Sequence, residues 1–534
     1  MNDKILNRLL FLGGFLTLVF YFGLIHPLVP FDTDDWININ VSRPLFPSLA
    51  DWNPTKLFPE RLEPSVSLFA SLYVTPITGD YVSALVMSNA FVVSLFITFY
   101  LFSVQKLLTD RFLIGRLCSF CIVLLYALLH FLILKTKNTG NDYLFYSEDS
   151  NCYYHYIIPN MLCASLVIWL MMFETRRERS GWQFILPVAF LYLVLCFGHF
   201  YSSFAIFAYL GFALLYKIVR VRSFNLALLG TYIRQQAFYL TIVLVTYFAL
   251  CSNLYSTIIL IAYIGAILLY DLLAYPKGES NWLWHYIRLH AYHLTVLAFW
   301  LIIQWFEANG IRANAYGHIS DPLADLLLAS CKSFLAVRYN VWAFGLTLAV
   351  SVGAVVHYAI TNTRHQVFPI GRLQVVLLIA TLLSLSYLLL LCSRVRPENM
   401  MKGQVIFEWA FFILLLAVLC LGYLSARLKA VRCLLPLAIL LTVFSIRNVR
   451  TEFLGVQCLW ETTEAECIVT DRDIIDQVRY AEALGLDTLA VRVPKFEYED
   501  NWPLAFDCGY AVGFTLYKQY VVPRHLKTTF TFDE

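Results

Sequence analysis

The stretch Phe31-Asp32-Thr33-Asp34-Asp35-Trp36 places three carboxylates within four residues, directly after a long apolar run. Carboxylates at this spacing can supply a general base that takes a proton from a hydroxyl, worth about 10²–10⁴-fold in rate. A neighbouring carboxylate can orient that base or bind a cation. The same residues also suit a solvated loop start or a helix N-cap, with Trp36 anchored at a membrane interface. An Asp at the centre of a bilayer costs about 2.5–3.5 kcal/mol, so the cluster belongs at or beyond the interface.

Three other polar stretches carry candidate residues. WNPTKLFPERLEPS (52–65) supplies Lys56, Glu60, Arg61 and Glu63 among three prolines. It reads as a rigid charged segment leading into a short helix along the membrane, or as a surface loop with ordinary ion pairs. Residues 393–402 supply Arg394, Arg396 and Lys402. Guanidinium groups there can grip a phosphate bidentately or touch anionic headgroups. Loop 135–156 brings Asp142, Glu148, Asp149 and His155 together with Tyr153, Tyr154 and Tyr156. Those rings can stack on a sugar or form an interfacial aromatic belt. His199 in GHFYSS lines the same cavity or is structural.

The elements that must position these residues are apolar. The chain has 534 residues, 60% of them hydrophobic and 14% charged, which is outside the range of soluble domains. Stretches long enough to cross a bilayer recur at 9–28, 82–105, 113–134, 157–173, 182–197, 203–219, 236–251, 254–272, 289–306, 341–360, 373–392, 405–424 and 432–446. This predicts an all-α polytopic membrane protein of about 13 helices, the first an uncleaved span. With the N-terminus in the cytoplasm, nineteen Lys and Arg fall inside and eleven in the longer outer loops before residue 447. The outer loops are then 29–81, 135–156, 307–340 and 393–404.

Residues 1–446 thus form the transmembrane domain, and 447–534 form an extracytoplasmic tail of different character. DRDIIDQVRYAEALGLDTLAVRVP reads as a helix, a glycine turn and a strand, so the tail is a small α/β domain resting on the outer face. Asp471, Arg472 and Asp473 read as a helix start with its cap. Cys458 and Cys467 are a candidate disulfide or two free thiols. Most of the thirteen cysteines lie in apolar runs, where they act as small hydrophobes.

Some function classes are excluded, while a secondary transporter or flippase and an O-antigen polymerase or ligase stay open as alternatives. Net charge is only +3, so nothing suggests nucleic-acid binding. There is no Walker-type Gly-rich loop, no H-E-x-x-H and no G-x-S-x-G. A secondary transporter or flippase would predict charges in mid-span and an internal repeat. An O-antigen polymerase or ligase would place key arginines in two large outer loops.

The layout resembles the GT-C class of integral-membrane glycosyltransferases, in which an Asp/Glu motif follows the first span. Asp32, Asp34 and Asp35 occupy that place. It is also similar to the serotype-converting glucosyltransferases that decorate O-antigen from outside the bacterial inner membrane. The resemblance implies a polyprenyl-phosphate sugar donor, a glycan acceptor, and partnership with a polyprenyl-phosphate glycosyltransferase and a flippase. It implies an Asp base, Asp34 first with Asp35 and Asp32 as alternatives, and Arg394 or Arg396 stabilising the departing phosphate. Attack from the opposite face would invert the anomeric carbon. No cofactor is implied, although a divalent cation could sit at the Asp cluster.

Overall fold

The computed structural model describes residues 3–40, 56–132, 144–145, 147, 149–174, 230, 240–274, 281–309, 321–337, 341–361, 370–448, 463–496, 504–505 and 509–532. The chain is a predominantly helical multi-pass membrane protein. Among the described residues seven helices are long and apolar enough to cross a bilayer, or eight if one bent pair counts as a single span. The expected spans 182–197 and 203–219 lie outside the described residues.

Helix α1 (Asp3–Phe20) ends in a π-helical turn, Tyr21–Ile25. Its Leu9, Leu16 and Phe20 are exposed, as a helix facing lipid requires. The first extramembrane segment then holds α2 (Thr33–Asn38), α3 (Pro59–Phe69) and α4 (Thr75–Thr78). Pro59 starts α3, where a missing N–H costs nothing. The 32-residue α5 (Tyr81–Phe112) begins at Asp80, whose side chain accepts the Ser83 N–H. It is followed by α6 (Arg116–Leu132), shorter than a full span.

Helix α7 (Ser150–Cys152) passes through a π-helical turn (Tyr153–Ile157) into α8 (Ile158–Glu174), one continuous apolar rod. After α9 (Leu240–Leu250) and α10 (Thr257–Ala274), α11 (Trp282–Leu289) and α12 (Ala291–Asn309) meet at a 72° bend. The expected loop 307–340 contains a helix, α13 (Leu323–Ala336), packed on α15 and on the turn that follows it. Helices α14 (Val341–Thr361), α15 (Ile370–Val395), α16 (Gly403–Arg427) and α17 (Lys429–Asn448) complete the bundle, with a 3₁₀ turn at Pro397–Met401. Nearly every side chain of α16 is buried, so it is the bundle's central helix.

The C-terminal segment contains α18 (Glu464–Ala483), β1 (Thr488–Val493), α19 (Tyr510–Lys518) and β2 (Lys527–Phe532). The helix starts earlier than the sequence suggested, because Thr463 and Glu466 form a reciprocal capping box. Asp471, Arg472 and Asp473 therefore lie inside the helix rather than at its cap. The two strands pair in parallel from Thr488↔Lys527 to Val493↔Phe532, a pairing that needs a crossover connection. Helix α19 belongs to that crossover and lies hard against β2. A Cβ on Gly513 would come within 2.3 Å of the Leu526 carbonyl oxygen.

Among the described residues this segment shares a core with the start of the bundle. Ile474, Val478, Val491, Leu516 and Phe530 pack in one cluster with Val29, Phe31 and Trp36 and with the start of α5. Three hydrogen bonds fasten the same contact. Thr515 Oγ1 donates to the Trp36 carbonyl at 2.7 Å, Gln519 Nε2 to the Ile39 carbonyl at 2.8 Å, and the Ala505 N–H to Thr33 Oγ1 at 3.1 Å. The segment after α1 and the C-terminal segment thus share one face of the bundle.

Candidate active site

The acidic sequence 32–35 folds as a helix start. Asp32 is the N-cap and accepts the Asp35 N–H at 3.0 Å; Asp35 returns the bond to the Asp32 N–H at 3.3 Å. This reciprocal box fixes where each carboxylate points. Asp32 and Asp35 are buried, while Asp34, on the opposite side of the first turn, is exposed.

Asp35 is a connector. Its Oδ2 accepts the N–H groups of Phe31 at 2.5 Å and Ser150 at 3.4 Å, and its Oδ1 accepts Asn151 N–H at 2.6 Å. It therefore closes its own helix turn and ties α2 to the first turn of α7. Burial raises its pKa, and the N–H groups of Phe31, Asn151 and Asp32 pull it back. For Asp32, burial and the nearby Asp149, Asp35 and Asp34 carboxylates push the pKa well above the ordinary range.

Glu63 and His155 complete the buried wall. Both are 2% exposed, and His155 Nε2 lies 3.7 Å from Glu63 Oε2. Burial, then Asp35 and Glu60, raise the Glu63 pKa, against a lowering by Lys56. Glu60 is buried beside Glu63, whereas Arg61 is half-buried on α3. Asn253 Nδ2 donates to the His155 carbonyl at 2.8 Å, and the turn 251–256 also accepts the Lys56 and Phe58 N–H groups. Four segments distant in sequence thus converge on one floor.

Arg394, Arg396 and Lys402 are exposed around the 3₁₀ turn after α15. That turn belongs to the same face, because Asn399 Nδ2 donates to Tyr255 OH at 3.1 Å and Asn160 Nδ2 to the Gln404 carbonyl at 2.9 Å. The three cations sit at the rim and make no contact with the carboxylates. His199, Asp142, Glu148 and Cys458 lie outside the described residues. Among the described residues no group of three or more His, Cys, Asp or Glu side chains converges as metal ligands. The Asp triplet itself diverges, since Asp34 faces out and Asp35 faces in.

Two participants escaped the sequence. Asp471 of α18 is buried against Trp36 and near Asp35, and burial raises its pKa well above the usual range. His26, just after α1, has Nδ1 2.8 Å from Glu464 Oε1 and Nε2 3.1 Å from Tyr153 OH. Neither pair has a local sequence signal, since His26 and Glu464 are 438 positions apart. Comparison with family models, curated proteins and solved structures returns no match, so function rests on this geometry alone.

Proposed function

We propose that the protein is a membrane glycosyltransferase that moves a sugar from a polyprenyl-phosphate donor to a glycan acceptor, with Asp34 as general base. The observation that carries this reading is the sorting of the triplet. Asp35 and Asp32 are consumed in building α2, and Asp34 alone of the three presents its carboxylate to solvent. A base must reach the acceptor hydroxyl, and only an accessible carboxylate can.

In this mechanism Asp34 takes the hydroxyl proton as the acceptor oxygen attacks the anomeric carbon. The bond from that carbon to the lipid phosphate breaks on the opposite face, and the configuration inverts. Arg394 and Arg396, on the rim of the same face, suit the charge gathering on the departing phosphate. The acidic face is taken as extracytoplasmic in a bacterial inner membrane, with thirteen spans, a cytoplasmic N-terminus and a periplasmic C-terminus. The parity agrees with the shared face of the segments flanking the bundle. A flippase and a polyprenyl-phosphate glycosyltransferase would supply the donor.

The test is sugar transfer in membranes, normalised to protein level, for Asp32, Asp34 and Asp35 each changed to Asn. Asp34→Asn inserts normally and lowers transfer by about two orders of magnitude or more. Near-normal transfer by that variant would remove Asp34 as the base, and near-normal transfer by all three would remove the glycosyltransferase reading.

A further inference from the structure

Glu408 stands apart from the acidic face. It is five residues into α16, about 7 Å along the helix from Gly403, within a segment that crosses the membrane. It is 0% exposed, and neither carboxyl oxygen has a hydrogen-bond partner among the described residues. Its neighbours on the same helix are the buried Phe407, Phe411 and Phe412. The titratable groups facing it are the thiols of Cys163 on α8 and Cys392 on α15, and no cationic side chain among the described residues offsets its charge. An ionised carboxylate in such a setting is costly unless paired, and intramembrane acids of this kind persist where they bind or relay something.

A polar seam leads to it from the acidic face. Ser256 Oγ donates to Asn160 Oδ1, and Asn160 donates to the carbonyl of Gln404, one turn before Glu408. On the other side Asn399 reaches Tyr255, whose hydroxyl lies next to Cys392. The seam thus runs between α8, α15 and α16, roofed by the turn 251–256 that also supports His155. We propose that Glu408 is a proton-binding site inside the membrane domain. Held as the neutral acid it fits the closed seam, and its ionisation draws water in and opens the seam. Release is a simple dissociation, the proton passing to that water.

Infrared difference spectra of wild type minus Glu408→Gln, in proteoliposomes at neutral pH, test the first half. The expected result is the carbonyl stretch of a protonated carboxylic acid in the wild type. Carboxylate stretches in its place would overturn the proposal. Glu408→Asp keeps the acid and should move the band rather than remove it, so the assignment does not hang on one variant. Opening is tested by alkylation of Cys163 and Cys392 with a water-soluble maleimide, mapped by peptide mass spectrometry. From neutral to alkaline pH the wild-type rate should rise several-fold more than that of Glu408→Gln; an ionised Glu408 disfavours the neighbouring thiolates, so a larger rise reports access rather than thiol ionisation. Equal rises would refute the opening. Neither measurement depends on glycosyl transfer, so the two readings can fail separately.

Discussion

Asp35 Oδ1 accepts the backbone N–H of Asn151 at 2.6 Å, across 116 positions of sequence. One carboxylate thereby holds the helix that carries Asp34 against the helix that carries His155. A residue adjacent to the proposed base acts through position rather than through proton transfer.

Asp35→Ala is expected to leave the N–H groups of Phe31 and Asn151 buried without acceptors. Each such loss costs about 1–3 kcal/mol, so thermal unfolding should fall by several degrees. Asp34→Asn should leave the melting temperature within error of wild type. Equal melting temperatures for Asp35→Ala and wild type would show that Asp35 is not a structural tie.

At the rim, Arg396→Lys keeps the charge and loses the planar fork. Donor use should weaken about tenfold, read as KM for the lipid-linked sugar, while protein level and melting temperature hold. If Arg394→Ala and Arg396→Ala together leave KM and turnover unchanged, both arginines are headgroup anchors.

The C-terminal segment is clasped by Arg472, whose Nε and Nη2 donate to Asp80 Oδ2 at 3.0 and 2.7 Å. Partial burial raises the Asp80 pKa, but Arg472 and Ser83 outweigh it and hold the carboxyl below its usual value. The clasp therefore contributes above the unfolded carboxyl pKa, about 4, and is lost as pH falls through the depressed folded value. Arg472→Ala should remove that acid-side loss and, the pair being largely exposed, cost at most about 1 kcal/mol at neutral pH. Proteolytic release of residues 463–532 as a function of pH measures it. An unchanged acid profile in the variant would show that the clasp does not hold the segment.

What the sequence determined by itself is what depends on local composition. Apolar length dictated α8, α10 and α14 to α16 within about three residues, because a bilayer-spanning helix satisfies its own backbone, whereas α5 runs seven residues past its expected end at 105. The chemistry-bearing stretch 31–36 was also legible, since carboxylates cannot sit in lipid. The stretch 52–65 reads as leading into a short helix, and α3 starts inside it at Pro59; the strand read after the glycine turn is β1.

Tertiary structure decided the roles. Asp32, Asp34 and Asp35 are equivalent by composition, and the capping box, not their type, sends Asp34 outward and Asp35 inward. Asp471 read as a helix cap, but the Thr463–Glu466 box moved the helix start and left Asp471 buried against Trp36. Glu63 and His155 were separate polar residues until α3, the 153–157 turn and the 251–256 turn met. By position alone Glu408 lies near one end of the expected span 405–424. Only the packing of α8 and α15 around α16 enclosed it, because burial is a property of neighbours that one chain segment cannot carry.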